Sequence, residues 1–197
     1  MTDTLDFALS LARKAGELIV HERKTATLSR EYKNGNELVT NVDLKADRLI
    51  CDAISQAYPD HFILSEESSP ELGNIQELDA SVWVIDPIDG TVNFAHGLGH
   101  SAISIAHVEN GNFEVGVVFN PFTNEMFSAR KGEGALLNGS AIEVAHESEL
   151  SRAIIATGFP YDKSAMEPLV KRLRVVLNNC ADIRRIGSAA LAICYLA

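Results

Sequence analysis

One stretch constrains this chain more than any other: Trp83-Val84-Ile85-Asp86-Pro87-Ile88-Asp89-Gly90-Thr91. An apolar run rich in β-formers ends in two carboxylates with a proline in the turn between them and a Gly-Thr pair behind. Pro87 fixes its own φ and removes a donor, so the turn presents both carboxylates in one rigid arrangement. A single Asp at a strand end needs no function, and Asp89 alone would serve as a helix cap. Two Asp around a proline directly after an apolar run point instead to a hard divalent cation. Such an ion takes a few oxygens in fixed geometry and leaves its other positions to water and substrate phosphate.

The theme recurs upstream. Leu64-Ser65-Glu66-Glu67-Ser68 places acids directly after an apolar strand, and Leu38-Val39-Thr40-Asn41-Val42-Asp43 does so again. Taken singly, each is a solvated charge. Three chain segments that each deliver a carboxylate point to one shared metal site. A carboxylate cluster repels phosphate, so it binds one only after cations have inverted the local field. Two such cations activate a water and stabilise the leaving oxygen of an in-line displacement. Gly90-Thr91, at an expected helix start, adds backbone N–H donors for the phosphate. No Ser/His/Asp or Cys/His arrangement stands out, which leaves water as the nucleophile.

Composition excludes several other classes. The 197 residues suit one domain, or two small layers sharing a core, and 46% hydrophobic with 22% charged residues describe a globular chain. The net charge of −10 argues against binding nucleic acid through bulk electrostatics. No run approaches the ~18 apolar residues of a membrane helix. Asp3 and Asp6 stand where a signal peptide would carry base, so no secretion is expected. Three cysteines (Cys51, Cys180, Cys194) without a C-x-x-C spacing exclude a disulfide framework; buried free thiols in a reducing cytoplasm are expected. The charge is uneven: Pro168 to Ala197 holds five bases and one acid.

Hydrophobic spacing predicts a first helix through Leu5, Ala8, Leu9, Ala12, Ala15 and Ile19, and a second from Asn41 to just before Tyr58-Pro59. Lys33-Asn34-Gly35-Asn36 reads as a mobile turn. Strands are expected at 61–64, 81–85, 102–108, 113–119 and 125–129, with hairpin turns at 109–112 and 120–124. Lys131-Gly132-Glu133-Gly134-Ala135 reads as a turn before a surface segment. Near residue 145 the rhythm becomes strand (153–157), helix (164–177), strand (182–186) and helix (188 onward), an α/β layer. Residues 1–145 are therefore read as an α+β subdomain carrying the metal site, and 146–197 as the start of an α/β subdomain.

The segment Asp86-Pro-Ile-Asp89-Gly90-Thr91, with Leu64-Ser65-Glu66-Glu67-Ser68 and Glu37-Leu-Val-Thr40-Asn-Val-Asp43, resembles the inositol monophosphatase family of Mg²⁺-dependent, lithium-sensitive phosphatases. The resemblance runs from the first helix to the end of the chain. It implies a layered αβαβα sandwich of the inositol monophosphatase and fructose-1,6-bisphosphatase type, working as a cytoplasmic homodimer with two or three Mg²⁺ ions. Residue by residue, it implies Glu66, Asp86 and the Ile88 carbonyl as ligands of a first ion, and Asp86 and Asp89 as ligands of a second. It makes Glu66, Asp43 and Thr91 the catalytic set, the last two orienting and activating water. Gly90 and Thr91 match the phosphate-binding turn, Gly187 and Ser188 the stretch that contacts substrate hydroxyls, and Lys33 a loop lysine near a weaker third ion.

Two features depart from the family pattern. Ala192 stands where an Asp follows Gly-Ser-Ala-Ala-Leu, and no Trp-Asp-x-Ala-Ala-Gly motif follows before Ala197. The expectation is a truncated sandwich whose second ion keeps only Asp86 and Asp89, with apolar surface uncovered around Ile186, Leu191 and Ile193. The implied substrate is a small phosphate monoester, first inositol monophosphate, with fructose bisphosphate, adenosine bisphosphate and histidinol phosphate as alternatives. A different class is a regulatory protein of the transcription machinery, for which Lys171-Arg172-Leu173-Arg174 is the candidate segment. No membrane or direct nucleic-acid partner is expected. His96 and His100, at i and i+4, are not expected to bind metal, because two glycines between them oppose a regular helix and no H-E-x-x-H acid intervenes. Glu67 is expected to face away from Glu66, and Arg184-Arg185 to be solvated or at an interface.

Overall fold

The apolar stripe of the N-terminal residues forms a single long helix, α1 (Thr4–Thr25), which buries Ala8, Leu11, Ala12, Ala15 and Ile19. The computed structural model describes residues 3–25, 27–33, 37–68, 79–160, 164 and 166–197. Strands β1 (Arg30–Lys33) and β2 (Glu37–Thr40) pair antiparallel, although neither alternates strongly enough to be expected. The turn residues Asn34, Gly35 and Asn36, and the Lys33 side chain, lie outside the described residues. Next comes α2 (Asn41–Ala57), opened by a capping box: the Thr40 hydroxyl accepts from the Val42 amide, and the Asp43 carboxylate accepts from the Thr40 amide at 2.9 Å.

Seven strands then build the main sheet, in the order β3 (Phe62–Ser65), β4 (Ser81–Asp89), β5 (Ala102–Glu109), β6 (Asn112–Asn120), β7 (Glu125–Arg130), β8 (Gly134–Leu137) and β9 (Ser140–Ile142). Only β3 and β4 run parallel; every later neighbour is antiparallel. The short helix α3 (Thr91–Ala95) joins β4 to β5. Asn110-Gly111 closes the β5–β6 hairpin with φ of 48° and 75°, both left-handed as a two-residue type I′ turn requires. The same pair at Asn138-Gly139, φ 50° and 82°, closes β8 on β9. The segment read as surface is therefore two further strands; they are too short, and too near the sheet edge, to show apolar alternation.

One face of this sheet packs on α1 and α2. Trp83, Ile85, Ile103, Ile105, Val117 and Phe119 join Ala8, Ala12, Ala15, Ile19 and Ile50 in a single core. The approach is close at Gly16, where a Cβ would fall 2.5 Å from the Phe119 ring. Ala102 and Phe127, on the opposite face, form a small cluster with Leu191. The second layer follows as β10 (Ile154–Ala156), α4 (Met166–Leu177), β11 (Asp182–Arg184) and α5 (Ala189–Cys194), with β10 and β11 parallel. The expected rhythm holds with each element shorter at its ends. Leu191 is fully buried, contrary to expectation, because it caps the Ala102–Phe127 cluster; Ile193 is 69% exposed. The cysteines are half-buried rather than buried, and all are free. No helix among the described residues is long and apolar enough to cross a membrane.

Far from the acidic strand ends, His107 stacks on His61 with ring centroids 5.3 Å apart and lies 4.8 Å from the Trp83 ring. Its Nε2 is buried without a hydrogen-bond partner among the described residues. Burial first, then the charge of His61, lowers its pKa; Glu109 and Glu114 act the other way. The unfolded chain therefore binds the proton more readily than the folded one. Stability should fall as the pH drops below the unfolded value, about 6.5, and level off below the folded one. Urea denaturation between pH 7.5 and 5 should show this slope, and His107→Phe should flatten it.

Candidate metal and phosphate site

The two aspartates stand inside a strand, not on either side of a turn. Asp86 pairs with Ser104 and Asp89 with Ala102, so three steps along β4 oppose two along β5. The extra residue makes a bulge, and Pro87, which has no N–H for the ladder, sits in it. The Ile88 amide donates back to Asp86 Oδ1 at 3.1 Å, which fixes the first carboxylate. Gly90 then takes φ 90° and starts α3; a Cβ there would lie 2.9 Å from the His100 carbonyl and 3.1 Å from that of Gly187.

Thr91 connects two helix starts. Its hydroxyl lies 2.9 Å from Asp43 Oδ1 on α2 and 3.1 Å from the Ile88 carbonyl. The other Asp43 oxygen accepts from the Thr40 amide and hydroxyl. Burial, opposed by these hydrogen bonds, raises the Asp43 pKa. Glu66 follows β3, and its amide donates to the Ile85 carbonyl at 3.2 Å, beside Asp86. One residue earlier, the buried Ser65 hydroxyl donates to the buried Asp47 carboxylate and ties this strand end to α2. Burial, then the charges of Glu66 and Asp89, push Asp86 well above the usual carboxylate range.

Asp89 reaches across to the second layer. Its carboxylate accepts from the Ser188 hydroxyl, from the Ala189 amide at 3.1 Å and from the Ala190 amide at 2.8 Å. The structure thus brings Asp89 directly to Ser188, two residues that the sequence reading assigned to ion and substrate separately. Gly187, with φ 87°, makes the turn into this contact. Asp89, Gly90, Gly187 and Ser188 line a cleft of about 560 Å³, together with Thr157 and Arg185.

Among the described residues, no three His, Cys, Asp or Glu side chains form a ready-made metal-binding group. The donor chemistry nevertheless fits Mg²⁺, which binds through one or two carboxylates with water and phosphate rather than an all-protein cage. The elevated pKa of Asp86 points the same way, since a cation would relieve the charge crowded around it. Cysteine chemistry does not fit. Burial first, then Asp47 or Asp89, pushes the Cys51 and Cys194 thiols up to about 11, far from the thiolate form. His96 and His100 share no helix face, because α3 ends at Ala95, and His96 Nδ1 lies against the Val92 carbonyl.

Four contributors escaped the sequence reading: Thr40, Asp47, Ser65 and Asn93. Thr40 and Asp43 carried a usable signal, the cap spacing T-x-x-D. Asp47, Ser65 and Asn93 carried none: Ser65 and Asp47 lie 18 residues apart, and Asn93 meets the backbone carbonyls of His100 and Ile186, which no side-chain pattern marks.

A mixed α/β fold whose bulged strand end carries Asp86 and Asp89, with Thr91 bonded to Asp43 behind it, defines the class. The chain belongs to the inositol monophosphatase family, whose model matches residues 1–197. It is 42% identical over 199 residues to the Nus factor SuhB of Escherichia coli (strain K12), covering 100% of this chain and 73% of that protein. Among solved structures it is similar to the extragenic suppressor protein suhB from Bartonella henselae, with TM-score 0.88 and 33% identity over 97% of this chain and 73% of that one. It is also similar to the Thermotoga maritima IMPase, with TM-score 0.85 and 37% identity over 99% and 72%.

Proposed function

We propose that the protein hydrolyses a small phosphate monoester, inositol monophosphate first, with Mg²⁺ held by Glu66, Asp86, the Ile88 carbonyl and Asp89. The observation that carries this reading is the contact of Thr91 with Asp43 at 2.9 Å, directly behind the Asp86–Asp89 bulge. Mg²⁺, when bound there, would supply the positive charge that admits a phosphate beside these carboxylates and would acidify a water. The chain's own residues do the rest. Asp43 accepts a hydrogen bond from the Thr91 hydroxyl, which directs that proton away and leaves the hydroxyl oxygen's lone pairs to accept from an attacking water and orient it. The turn at Gly90 and Thr91 offers backbone donors to the phosphate, and Gly187 and Ser188 bound the substrate's hydroxyl-bearing side.

In this reading residues 1–145 carry the ions and 146–197 open the second subdomain. Lys33 stands near a third ion, and the protein works as a lithium-sensitive, cytoplasmic homodimer. Phosphate release from a panel of inositol, sugar and nucleotide monophosphates tests it. Release that requires Mg²⁺ and falls with Li⁺ is expected; no release from any substrate would overturn it.

A second reading, a part in transcription, draws support from the Nus factor name of the relatives and from the exposed bases Lys171, Arg172 and Arg174 on α4. The two readings separate at Asp89, which hydrolysis requires and a binding role does not.

A further inference from the structure

The second layer meets the β4–α3 turn through Asn93, a residue that neither binds substrate nor approaches the carboxylates in the reading above. Asn93 sits on α3 and is 5% exposed. Its side-chain nitrogen donates to the His100 carbonyl at 2.7 Å and to the Ile186 carbonyl at 2.9 Å, using both of its protons. The amide also lies flat against Gly187: a Cβ on that glycine would fall 2.8 Å from Asn93 Nδ2 and 2.9 Å from Oδ1. The stretch 186–190 is thus gripped at both ends by one short turn. Asn93 holds Ile186 and Gly187, and Asp89 holds Ser188, Ala189 and Ala190. Gly90 fills the space between, under the Gly187 carbonyl.

We propose that Asn93 is a positioning residue that fixes the 186–190 segment and, through it, the rotamer of Asp89. This inference rests on the reading of Asp89 as a cation ligand. Asp89 accepts three hydrogen bonds from a segment contributed by the other layer, so its direction depends on where that segment stands. A side-chain amide is the group required at position 93, because two carbonyl oxygens need two donors from one planar group in a dry site. Asp has the same shape without those donors and would turn an acceptor toward each carbonyl. Ser offers a single short donor and leaves space beside Gly187.

The test compares wild type, Asn93→Asp and Asn93→Ser as full 197-residue chains, with two readouts that need no turnover. Amide hydrogen exchange reports the Ala189 and Ala190 N–H groups that Asp89 accepts, and Mn²⁺ titration reports cation affinity. In Asn93→Asp, exchange at Ala189 and Ala190 should accelerate at least ~10-fold, while amides of α1 and α2 keep their wild-type rates. The weaker Mn²⁺ site should lose ~10- to 100-fold in affinity, the range found when a residue orienting a ligand is removed, while the tighter site is unchanged. Asn93→Ser should fall between in both, and carries the test by the same criteria if the aspartate variant does not fold. Wild-type exchange and affinity in the variants would overturn the inference and leave the cation reading standing. Equal weakening of both Mn²⁺ sites with a lowered Tm would make Asn93 merely structural, and would also overturn it. Absence of Mn²⁺ binding by the wild type would remove the cation reading and the inference together.

Discussion

Replacing Asp89 by Asn should lower Mg²⁺-dependent phosphate release by more than ~10²-fold and leave the fold standing. Loss of a residue that merely orients a ligand costs about 10- to 100-fold in affinity or activity, so loss of a ligand itself should exceed that range. The effect on stability is smaller because two changes oppose each other. Asn removes a negative charge from beside Asp86, whose own carboxyl is crowded by Glu66 and Asp89. Its –NH₂ also takes the place of one accepting oxygen and turns a donor toward the Ala189 or Ala190 amide, so one backbone hydrogen bond is lost and those at the remaining oxygen lose their charge assistance. Each is on the order of 1 kcal/mol, so Tm should move by only a few degrees. Thermal unfolding beside the phosphate assay checks both halves. Near-normal turnover in Asp89→Asn would remove Asp89 from the cation site while leaving hydrolysis itself standing.

What the sequence made legible follows from how far each signal reaches. Local signals worked: the apolar run into Asp86-Pro87-Ile88-Asp89 defined β4, and the stripe from Leu5 to Ile19 defined α1. The family resemblance rested on the same contiguous residues, and the family assignment holds over residues 1–197. Signals that needed a partner failed. Pro87 was read as a turn because its missing donor breaks a ladder, yet β5 continues past it and the break is a bulge. β8 and β9 were missed although Asn138-Gly139 is as strong a hairpin pair as Asn110-Gly111, since no alternating apolar run flanks it. At the site, the Asp43–Thr91 and Asp89–Ser188 contacts span 48 and 99 residues. The resemblance paired Asp43 with Thr91 but assigned Asp89 and Ser188 separately, and the direct bond within each pair is a product of packing. Asn93 shows the limit most plainly: its two acceptors are backbone carbonyls, which no side-chain pattern marks.

Thr91→Ala should lower kcat by ~10²-fold or more with a much smaller change in KM, the signature of a contact that matters mainly in the transition state. The geometry says why the hydroxyl and not the methyl matters. Asp43 is nearly fully buried, with one oxygen held by the Thr40 amide and hydroxyl and the other by the Thr91 hydroxyl. Removing that hydroxyl leaves one oxygen of a buried carboxylate without this donor, and removes the oxygen that orients water. Thr91→Ser keeps the hydroxyl and should retain most of kcat, losing only the methyl contact. The alanine variant should also keep α3, because the start of that helix is set by Gly90 at φ 90° and by the Phe94 amide donating to the Gly90 carbonyl at 3.0 Å. Steady-state kinetics on the alanine and serine variants, with Tm measured alongside, separate the two roles. Unchanged kcat in Thr91→Ala would leave Thr91 as a bridge between α2 and α3, and would require another group to orient the water.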